Sequence, residues 1–555
     1  MRRAYILAAV LAMATMMFGQ QDPQQMQEPP DQPGQPVARL GVINGEASVR
    51  RGDSGDWVAA ILNAPLMAGD SISVGPGGSV EMQLDYANFV RVGAESEIRI
   101  SQLDNGRNQI QVSRGLVTWR VLRDTNALSE ISTPAAAVRP LRLASVRAEV
   151  APDGSTRIIM RHGDAEVSSQ RGTEQLHEGS MILLPESQIV YAPVRDGWDS
   201  WTDQRDNYLS RSQSSQYVSQ DIQGAEDLDQ YGNWGYDPAY GNVWTPTVPV
   251  GWAPYRNGQW VWEDYYGWTW VDYDPWGWAP FHYGSWYFRT GLGWSWFPGQ
   301  RYGRNWYRPA MVGFFGFGGG FANIGWVPLA PFEVYHPWYG RGFYGGGRFT
   351  NVGVVAGYRN ARFGNGVTAV SAVDFQRGSF RNQIPVGQAQ LQQASLVRGG
   401  VPVAPTSANL RFSERAASSA SIPRGVSSNQ RFFSRMPAAP ASQRTPFVQQ
   451  QAAVRSSFGQ AQAPASSWQR FGEPRPAVQG NSFQPGGESW NRFGAPQNAV
   501  PQRYSRPLQV APPIVQQRAA PSGGGYRSAP PPANRGGGGG GGHSAPSGAH
   551  NNGRR

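Results

Sequence analysis

The chain has 555 residues, 49 basic and 39 acidic side chains, a formal net charge of +10 and no cysteine. The absence of cysteine excludes disulfides, thiol nucleophiles, thiolate metal sites and a lipidated N-terminal cysteine. Only 16% of the residues are charged, whereas Gly (69) and Pro (44) are abundant, which indicates two or three domains with long loops and disordered segments.

The positive charge lies towards the C-terminal end of the chain. Residues 401–555 contain 17 Arg and 3 Glu, a net charge of 17 − 3 = +14, which leaves 10 − 14 = −4 for the residues before them. We therefore expect a mildly acidic folded part and a basic tail.

The first residues have the layout of a secretory signal. Arg2-Arg3 precedes an apolar run over residues 4–18, which is shorter than the roughly 20 residues that span a bilayer. The sequence predicts a signal peptide over residues 1–19 and a Gln/Pro/Asp-rich linker over residues 20–36. An uncleaved anchor is the alternative. We expect an exported protein that is periplasmic, associated with the outer membrane or extracellular.

Residues 37–194 show the alternation of apolar and polar side chains that is typical of strands. Turn dipeptides such as Gly52-Asp53 and Asn105-Gly106 separate the runs. Many short strands at regular spacing predict an all-β module, either a β-sandwich or a β-solenoid-like stack. The apolar runs are Val80/Met82/Leu84, Val90/Val92, Ile98/Ile100, Ile110/Val112, Ile158/Met160 and Ile182/Leu184.

Six strand and turn motifs in this segment carry a resemblance. They are Gly41-Val-Ile-Asn-Gly45-Glu-Ala-Ser-Val49, Leu66-Met-Ala-Gly-Asp70, Ser79-Val-Glu-Met-Gln-Leu84, Gly115-Leu-Val117, Ser132-Thr-Pro134 and Arg161-His-Gly-Asp-Ala-Glu-Val167. The segment resembles the FecR domain, the periplasmic part of iron-siderophore signal transducers, which implies a β fold and a sensory or regulatory role with a membrane partner. Those transducers carry a membrane span and a cytoplasmic anti-sigma domain ahead of the module, whereas only the predicted signal precedes it here.

A polar connector at residues 195–232, with a short helix predicted around residues 198–210, leads into an aromatic segment. Residues 252–296 hold ten of the 21 tryptophans and repeat at a spacing of 26 residues. Tryptophans two residues apart leave the same face of a strand, and Gly, Pro and Asn-Gly turns keep each strand short, which predicts hairpins. The repeats are Gly251-Trp-Ala-Pro-Tyr255 with Gly277-Trp-Ala-Pro-Phe281, and Gly267-Trp-Thr-Trp270 with Gly293-Trp-Ser-Trp296.

Further signatures extend this segment. They are Val243-Trp-Thr-Pro246, Pro275-Trp-Gly-Trp-Ala-Pro-Phe-His-Tyr-Gly284 and Gly325-Trp-Val-Pro-Leu-Ala-Pro-Phe-Glu-Val-Tyr335. They resemble an uncharacterised Trp/Gly/Pro-rich domain that follows a FecR domain in bacterial envelope proteins. The resemblance covers about residues 217–382 and implies an architecture without an assigned activity. We predict a small Trp-rich β domain over residues 233–383.

The aromatic residues allow two interpretations. The indoles pack as a core, since each aromatic side chain can bury about 150–250 Å², or they form an exposed platform for polysaccharide or peptidoglycan. The candidate ligand-binding residues are Trp260, Trp262, Trp268, Trp270, Asp272, Asp274 and Trp286.

The acidic residues among the tryptophans raise the alternative of a carbohydrate-active enzyme. Asp272 and Asp274, with Glu263-Asp264, lie where a glycosidase would hold its carboxylates, but these residues also suit hairpin turns. His282 is expected to be a half-buried packing residue. The sequence has no nucleophile elbow, phosphate loop or HExxH motif, and we therefore favour a non-enzymatic protein without a cofactor or metal.

Residues 384–555 lack periodicity and are rich in Gln, Ala, Pro, Ser and Gly, which predicts a disordered tail. A Ser-Trp-x-Arg-Phe-Gly motif occurs in it twice, and an arginine beside a ring in a flexible chain suits contacts with anionic polymers. A solvated tail is the alternative. The candidate contact residues are Trp468, Arg470, Trp490 and Arg492.

The leading hypothesis is an exported, non-enzymatic envelope protein with a structural or binding role. It would engage polysaccharide or peptidoglycan through the aromatic domain and an anionic polymer through the tail. A protein partner in the envelope is compatible with this role, nucleic acid is not expected as a partner, and no transmembrane helix is predicted apart from the signal segment. The alternatives are a FecR-type regulatory component and a carbohydrate-active enzyme.

Overall fold

The structure, a computed structural model, describes residues 34–104, 106–319, 321–340, 348–423, 430–437 and 444–461. The predicted signal peptide and the tail residues Trp468, Arg470, Trp490 and Arg492 lie outside the described residues. The described part contains 28 strands and five α-helices, and the predicted all-β class is confirmed.

Strands β1 to β17 form the β module. The chain orders them as Ala38–Asn44 (β1), Ala47–Arg50 (β2), Trp57–Ala59 (β3), Pro65–Leu66 (β4), Ser71–Val74 (β5), Ser79–Gln83 (β6), Asn88–Val92 (β7), Glu97–Asp104 (β8), Arg107–Val121 (β9), Leu128–Ser132 (β10), Ala137–Pro140 (β11), Ser145–Val150 (β12), Thr156–His162 (β13), Asp164–Ser169 (β14), Gly172–His177 (β15), Ser180–Leu184 (β16) and Gln188–Tyr191 (β17). Every pairing is antiparallel except that of β9 with β10.

The long strand β9 joins two runs of paired strands. One run is β4-β1-β6-β7-β9-β12-β13-β16-β17, and the other is β3-β2-β5-β8-β9-β10-β11-β14-β15. The first half of β9 pairs in the second run and its other half, from Gly115 onwards, pairs in the first. The two runs enclose one apolar core, and all the apolar runs predicted from the sequence are buried in it.

The connector contains helix α1, Gly197–Ser210, where the sequence predicts a short helix. Asp196 caps the helix by accepting a hydrogen bond from the backbone nitrogen of Asp199 (3.0 Å). The Asp199 carboxylate then pairs with Arg161 of β13 (Nη2–Oδ2 2.6 Å), and the Trp198 indole donates to Thr118 of β9 (2.8 Å). These contacts hold α1 against the β module.

The aromatic domain consists of short helices and of short strands that form three sheets. The strand orders are β18-β19-β23-β22, β20-β21 and β26-β28-β24-β25-β27. The strands are Gly232–Asp237 (β18), Gly241–Pro246 (β19), Gly258–Glu263 (β20), Gly267–Asp272 (β21), Ser285–Arg289 (β22), Gly293–Phe297 (β23), Val312–Phe317 (β24), Asn323–Pro328 (β25), Arg348–Val352 (β26), Thr368–Ser371 (β27) and Ser395–Arg398 (β28). The remaining helices are Trp278–His282 (α2), Ala372–Arg377 (α3), Gln388–Gln393 (α4) and Phe447–Ala461 (α5).

The folded part extends past residue 383, where the sequence analysis begins the disordered tail. Strand β28 lies between β26 and β24 and buries Leu396 and Val397 in the aromatic domain. Residues 430–437 lie along the β module, where the Phe433 nitrogen donates to the Thr133 carbonyl (2.9 Å). This boundary is therefore corrected for the described residues. A four-residue strand is too short to show a clear alternation of apolar and polar side chains. The prediction of a disordered tail therefore rests on amino-acid composition alone.

Candidate functional site

Three hairpins of the aromatic domain share one register. In each, a tryptophan of the first strand faces a tryptophan of the second. The pairs are Trp234 with Trp244, Trp260 with Trp270, and Trp286 with Trp296. Their first members are 260 − 234 = 26 and 286 − 260 = 26 residues apart. The predicted duplication is therefore part of a triplication, whose first copy at residues 232–246 the sequence analysis missed.

A glycine at the start of each hairpin lets the strands close against an indole. A Cβ added at Gly258 would lie 2.4 Å from the Val271 carbonyl oxygen and 2.6 Å from Cζ2 of Trp270. Gly232 and Gly284 are equally confined. Their nearest contacts would be Thr245 O (2.4 Å) and Trp244 Cε2 (2.5 Å) for Gly232, and Phe297 O (2.2 Å) and Trp296 Nε1 (2.8 Å) for Gly284. The spacing of Gly232, Gly258 and Gly284 is thus the sequence signal that identifies all three copies.

The five tryptophans among the candidate ligand-binding residues lie in the core of the domain, as the core interpretation predicts. None of the five is more than 5% exposed: Trp260, Trp262, Trp268, Trp270 and Trp286. Trp260 packs edge-to-face on Trp270 with ring centroids 5.3 Å apart, and Trp262 meets Trp268 at 5.4 Å. The rings are enclosed because the hairpins share a core with β24, β25 and α3, which removes the faces a sugar would stack on.

Asp272 is the last residue of the second hairpin, and Asp274 begins the turn that follows it. Asp272 accepts hydrogen bonds from the Trp270 indole (2.9 Å) and from the Asp274 nitrogen (3.0 Å). Asn257 donates to Asp274 (2.9 Å). Burial raises the pKa of Asp272 well above its ordinary range, and the Asp274 charge raises it further. Asp272 is closed off from solvent, so the arrangement is a turn and not an open pair of carboxylates.

His282 is fully buried and stacks on Tyr307 with ring centroids 4.6 Å apart. Its Nδ1 lies 2.8 Å from the Arg308 carbonyl oxygen and donates to it. Burial lowers the pKa of His282 to about 3. The ring is therefore neutral and packs as part of the core.

A buried ionic cluster joins the two modules. Arg51 of the β module donates to Glu263 at the end of β20 (Nη2–Oε2 2.9 Å) and to Asp53 (Nη2–Oδ2 2.9 Å). Arg444 contacts Glu263 (3.2 Å) and pairs with Asp70. Burial raises the pKa of Glu263 to about 7, against the attraction of the two arginines. Burial alone would raise the pKa of Asp53, but the same arginines lower it to about 2.

Residues 444–461, here named the C-terminal strap, pack over this junction. The Thr445 nitrogen donates to Asp264 (2.9 Å), and the Trp262 indole donates to Gln450 (2.6 Å). The Phe447 nitrogen donates to the Asp53 carbonyl oxygen (3.1 Å). The strap therefore covers the outer edge of the second hairpin and ties it to the β module.

The open site lies elsewhere, in a cleft of about 950 Å³ between the β module and the aromatic domain. The loop at residues 301–307 forms one wall. Residues 84–86, 103, 104, 106 and 108 of the β module contribute to the other. The loop is held to the connector because Asp221 accepts a hydrogen bond from the Asn305 nitrogen (2.9 Å). Ser219 likewise donates to the Gly303 carbonyl (3.0 Å).

Aromatic rings, amides and arginines line this cleft together. Tyr302 is 93% exposed, and Trp306 is half-buried. Each ring has a guanidinium over it, that of Arg301 at 5.4 Å from Tyr302 and that of Arg304 at 6.0 Å from Trp306. Other polar or aromatic lining residues are Tyr86, Asn108, Asn126, Gln223 and Tyr307. Exposed rings beside hydrogen-bonding side chains are the features expected of a site for polar ligands such as saccharides. Because these residues come from distant segments, no local sequence pattern identifies the cleft.

Within the described part of the chain, no group of three or more His, Cys, Asp or Glu side chains could hold a metal ion. No helix among the same residues is long and apolar enough to cross a bilayer.

Comparison with known proteins finds a match, over part of the chain, to a family without an assigned activity. The model of a family of unknown function, DUF6600, matches residues 225–333, which include all three hairpins. Two crystal structures of a candidate anti-sigma factor from Parabacteroides distasonis ATCC 8503 are similar at 17% and 18% sequence identity, with a TM-score of 0.20. Each match covers 22% of this chain and 58% of that chain, less than two thirds of its length. No curated protein matches the sequence.

Proposed function

We propose that this is an exported, non-enzymatic envelope protein that binds polysaccharide or peptidoglycan in the cleft between its two modules. The observation that carries the proposal is that Tyr302 is exposed and Trp306 half-buried in a cleft of about 950 Å³, whereas the candidate tryptophans of the second and third hairpins are enclosed. A saccharide has apolar ring faces and many hydroxyl groups, so it suits rings flanked by amides and arginines. Export rests on the predicted signal at residues 1–19, and the basic tail adds contacts with anionic polymer.

The ligand would bind in the cleft, and the aromatic core would hold the loop that lines it. The aromatic core fixes the position of the loop at residues 301–307, since Tyr307 stacks on Trp278 of α2 with ring centroids 5.3 Å apart and packs edge-to-face on Tyr266, in the turn of the second hairpin, at 5.1 Å. Rigid support matters because a loop that is held in place loses little conformational freedom when a ligand binds.

A FecR-type regulatory role is the second candidate. The motif glycines Gly69 and Gly115 have φ angles of +100° and +92°, which other residues adopt only with strain. Gly69 lies in the turn before β5, and Gly115 lies inside β9 where that strand passes from one run to the other. Both motifs thus match backbone positions that the β module requires, which supports a FecR-like module. The regulatory role needs a partner that crosses the membrane.

The test is sedimentation of the full chain with insoluble peptidoglycan and electrophoresis through gels that contain neutral polysaccharide. A salt concentration of about 1 M, where the Debye length is roughly 3 Å, suppresses binding by the basic tail. We expect Tyr302→Ala/Trp306→Ala to weaken retention at least tenfold. The matched control is Tyr191→Ala/Tyr236→Ala, because both tyrosines are more than 70% exposed (93% and 73%) and lie outside the cleft. Equal retention of the two variants would overturn the proposal.

A further inference from the structure

A second groove, of about 750 Å³, lies on the β module, and four arginines line it. Arg50 ends β2, Arg99 lies on β8, Arg114 lies on β9, and Arg431 belongs to the segment at residues 430–437. The segment is held in place because Gln430 donates to the Ser113 carbonyl (3.1 Å). Three strands and a later part of the chain thus bring four guanidinium groups to one groove.

These arginines lack the close carboxylate partners that other arginines of the β module have. Arg120 pairs with Asp206 at 2.6 Å, and Arg157 pairs with Glu149 at 2.9 Å. In the groove, the nearest ion pair is that of Arg114 with Glu97, at 3.9 Å. The Arg114 Nε is shielded from solvent and has no hydrogen-bond acceptor within the described chain.

The other three arginines of the groove can also donate hydrogen bonds to a ligand. Arg50 lies over the Trp57 ring at 5.8 Å, a contact that leaves its N–H groups free to donate. Arg99 and Arg431 are exposed, and within the described residues neither has a carboxylate within 4.0 Å. Polar side chains that could also contact a ligand line the same groove, namely Ser71, Gln111 and Ser113.

The acidic residues of the groove do not balance this charge. Glu97 and Asp153 are its two carboxylates, so the lining carries 4 − 2 = +2. Asp153 already accepts hydrogen bonds at Oδ1 from the backbone nitrogen of Ser155 (2.9 Å) and from its hydroxyl group (2.7 Å). The adjoining groove contrasts with it, since its lining has two arginines and four carboxylates, 2 − 4 = −2. The excess of positive charge is therefore confined to one groove.

We propose that this groove binds a compact anionic ligand with two or more phosphate or carboxylate groups. Guanidinium groups present paired N–H donors that match both kinds of oxyanion, and several of them around one concave surface favour a multiply charged ligand. The negative adjoining groove disfavours a long polyanion that would run across both. This site is independent of the saccharide cleft, with which it shares no lining residue.

The test is calorimetric titration of the full chain with tripolyphosphate and, separately, with citrate, which distinguishes a phosphate site from a carboxylate site. We expect Arg99→Gln/Arg114→Gln to weaken binding of the preferred anion at least tenfold. The control is Arg107→Gln/Arg398→Gln, which removes the same charge at two exposed arginines outside the groove and leaves the tail unchanged. We expect its affinity to stay within twofold of the wild type.

Three outcomes would overturn the proposal. They are equal losses in the two double variants, no loss in the groove variant, and a wild-type chain that binds neither anion. Thermal melts of all variants should coincide, because Arg99, Arg107 and Arg398 are exposed and Arg114 is partly so.

Discussion

Arg51 and Glu263, 212 positions apart, form a hydrogen bond of 2.9 Å that is enclosed where the β module meets the second hairpin. The bond belongs to a cluster of two arginines and three carboxylates. Such a cluster specifies how the modules dock, because any other arrangement would leave charges buried without partners.

The first prediction concerns this docking. Arg51→Met should lower the free energy of unfolding by about 3–5 kcal/mol, since it leaves buried carboxylates with one arginine fewer. Arg142→Met removes the exposed pair with Asp124 (73% and 63% exposed) and should leave the free energy of unfolding nearly unchanged, because solvent screens an exposed pair. Denaturant titration followed by tryptophan fluorescence measures both. Similar losses in the two variants would mean that the buried cluster does not hold the modules together.

The second prediction concerns the core of the aromatic domain. Trp260→Ala and Trp286→Ala should each destabilise the domain by about 3–5 kcal/mol, because each empties a large buried site in an equivalent hairpin. Tyr236→Ala, at an aromatic residue of the first hairpin that is 73% exposed, should change stability by less than about 0.5 kcal/mol. Thermal melts compare the three. A Trp260→Ala protein that melts like the wild type would contradict the core assignment.

The third prediction concerns the glycine that closes each hairpin. Gly258→Ala should destabilise by about 1–3 kcal/mol, since its Cβ would overlap the Val271 carbonyl and the Trp270 ring. Gly232→Ala should behave alike, and Gly284→Ala should cost at least as much, because the φ of +63° at Gly284 adds backbone strain. Gly235→Ala is the control, because a Cβ there has no neighbour within 4 Å. If all four variants melt together, the close approach is not a requirement of the fold.

The fourth prediction concerns pH. The native state holds the proton of Asp272 at pH values where the unfolded chain, with a carboxyl pKa of about 4, has lost it. The stability that Asp272 contributes is therefore complete below about pH 4 and is lost as the pH rises, by up to about 1.4 kcal/mol per pH unit. Asp272→Asn removes this dependence but offers one acceptor oxygen for two donors.

The measurement is the difference in unfolding free energy between wild type and Asp272→Asn from pH 4 to 8. We expect the variant to be less stable at pH 4 and the difference to shrink as the pH rises. A difference that stays constant over this range would show that Asp272 ionises normally in the folded protein.

The sequence predicted the β module well because its signal is local. Alternation at residues such as Val80 and Met82 reflects burial directly. The hairpin repeat was only partly found, since the first copy has Gly235 and Asn242 where the second has Val261 and Trp268. The first copy therefore differs from the second in composition, but its glycine and tryptophans keep the same 26-residue spacing.

The sites depend on contacts that no local pattern contains. Tyr86 and Trp306 line the same cleft but are separated by 306 − 86 = 220 positions. The exposure of the rings was left open, because a sequence dense in tryptophan is compatible with a platform or with a core. Only the mutual packing of the hairpins distinguishes the two, and it encloses the rings.

The position of Arg444 in the chain has a consequence for synthesis. A chain is made from its N-terminus and its domains begin to fold in that order, so the β module and the hairpins are complete before the C-terminal strap exists. Until Arg444 arrives, three carboxylates face Arg51 alone, with a net charge of 1 − 3 = −2, and its arrival changes this to 2 − 3 = −1. A nascent chain that stops short of the strap would therefore leave the junction of the two modules unfinished.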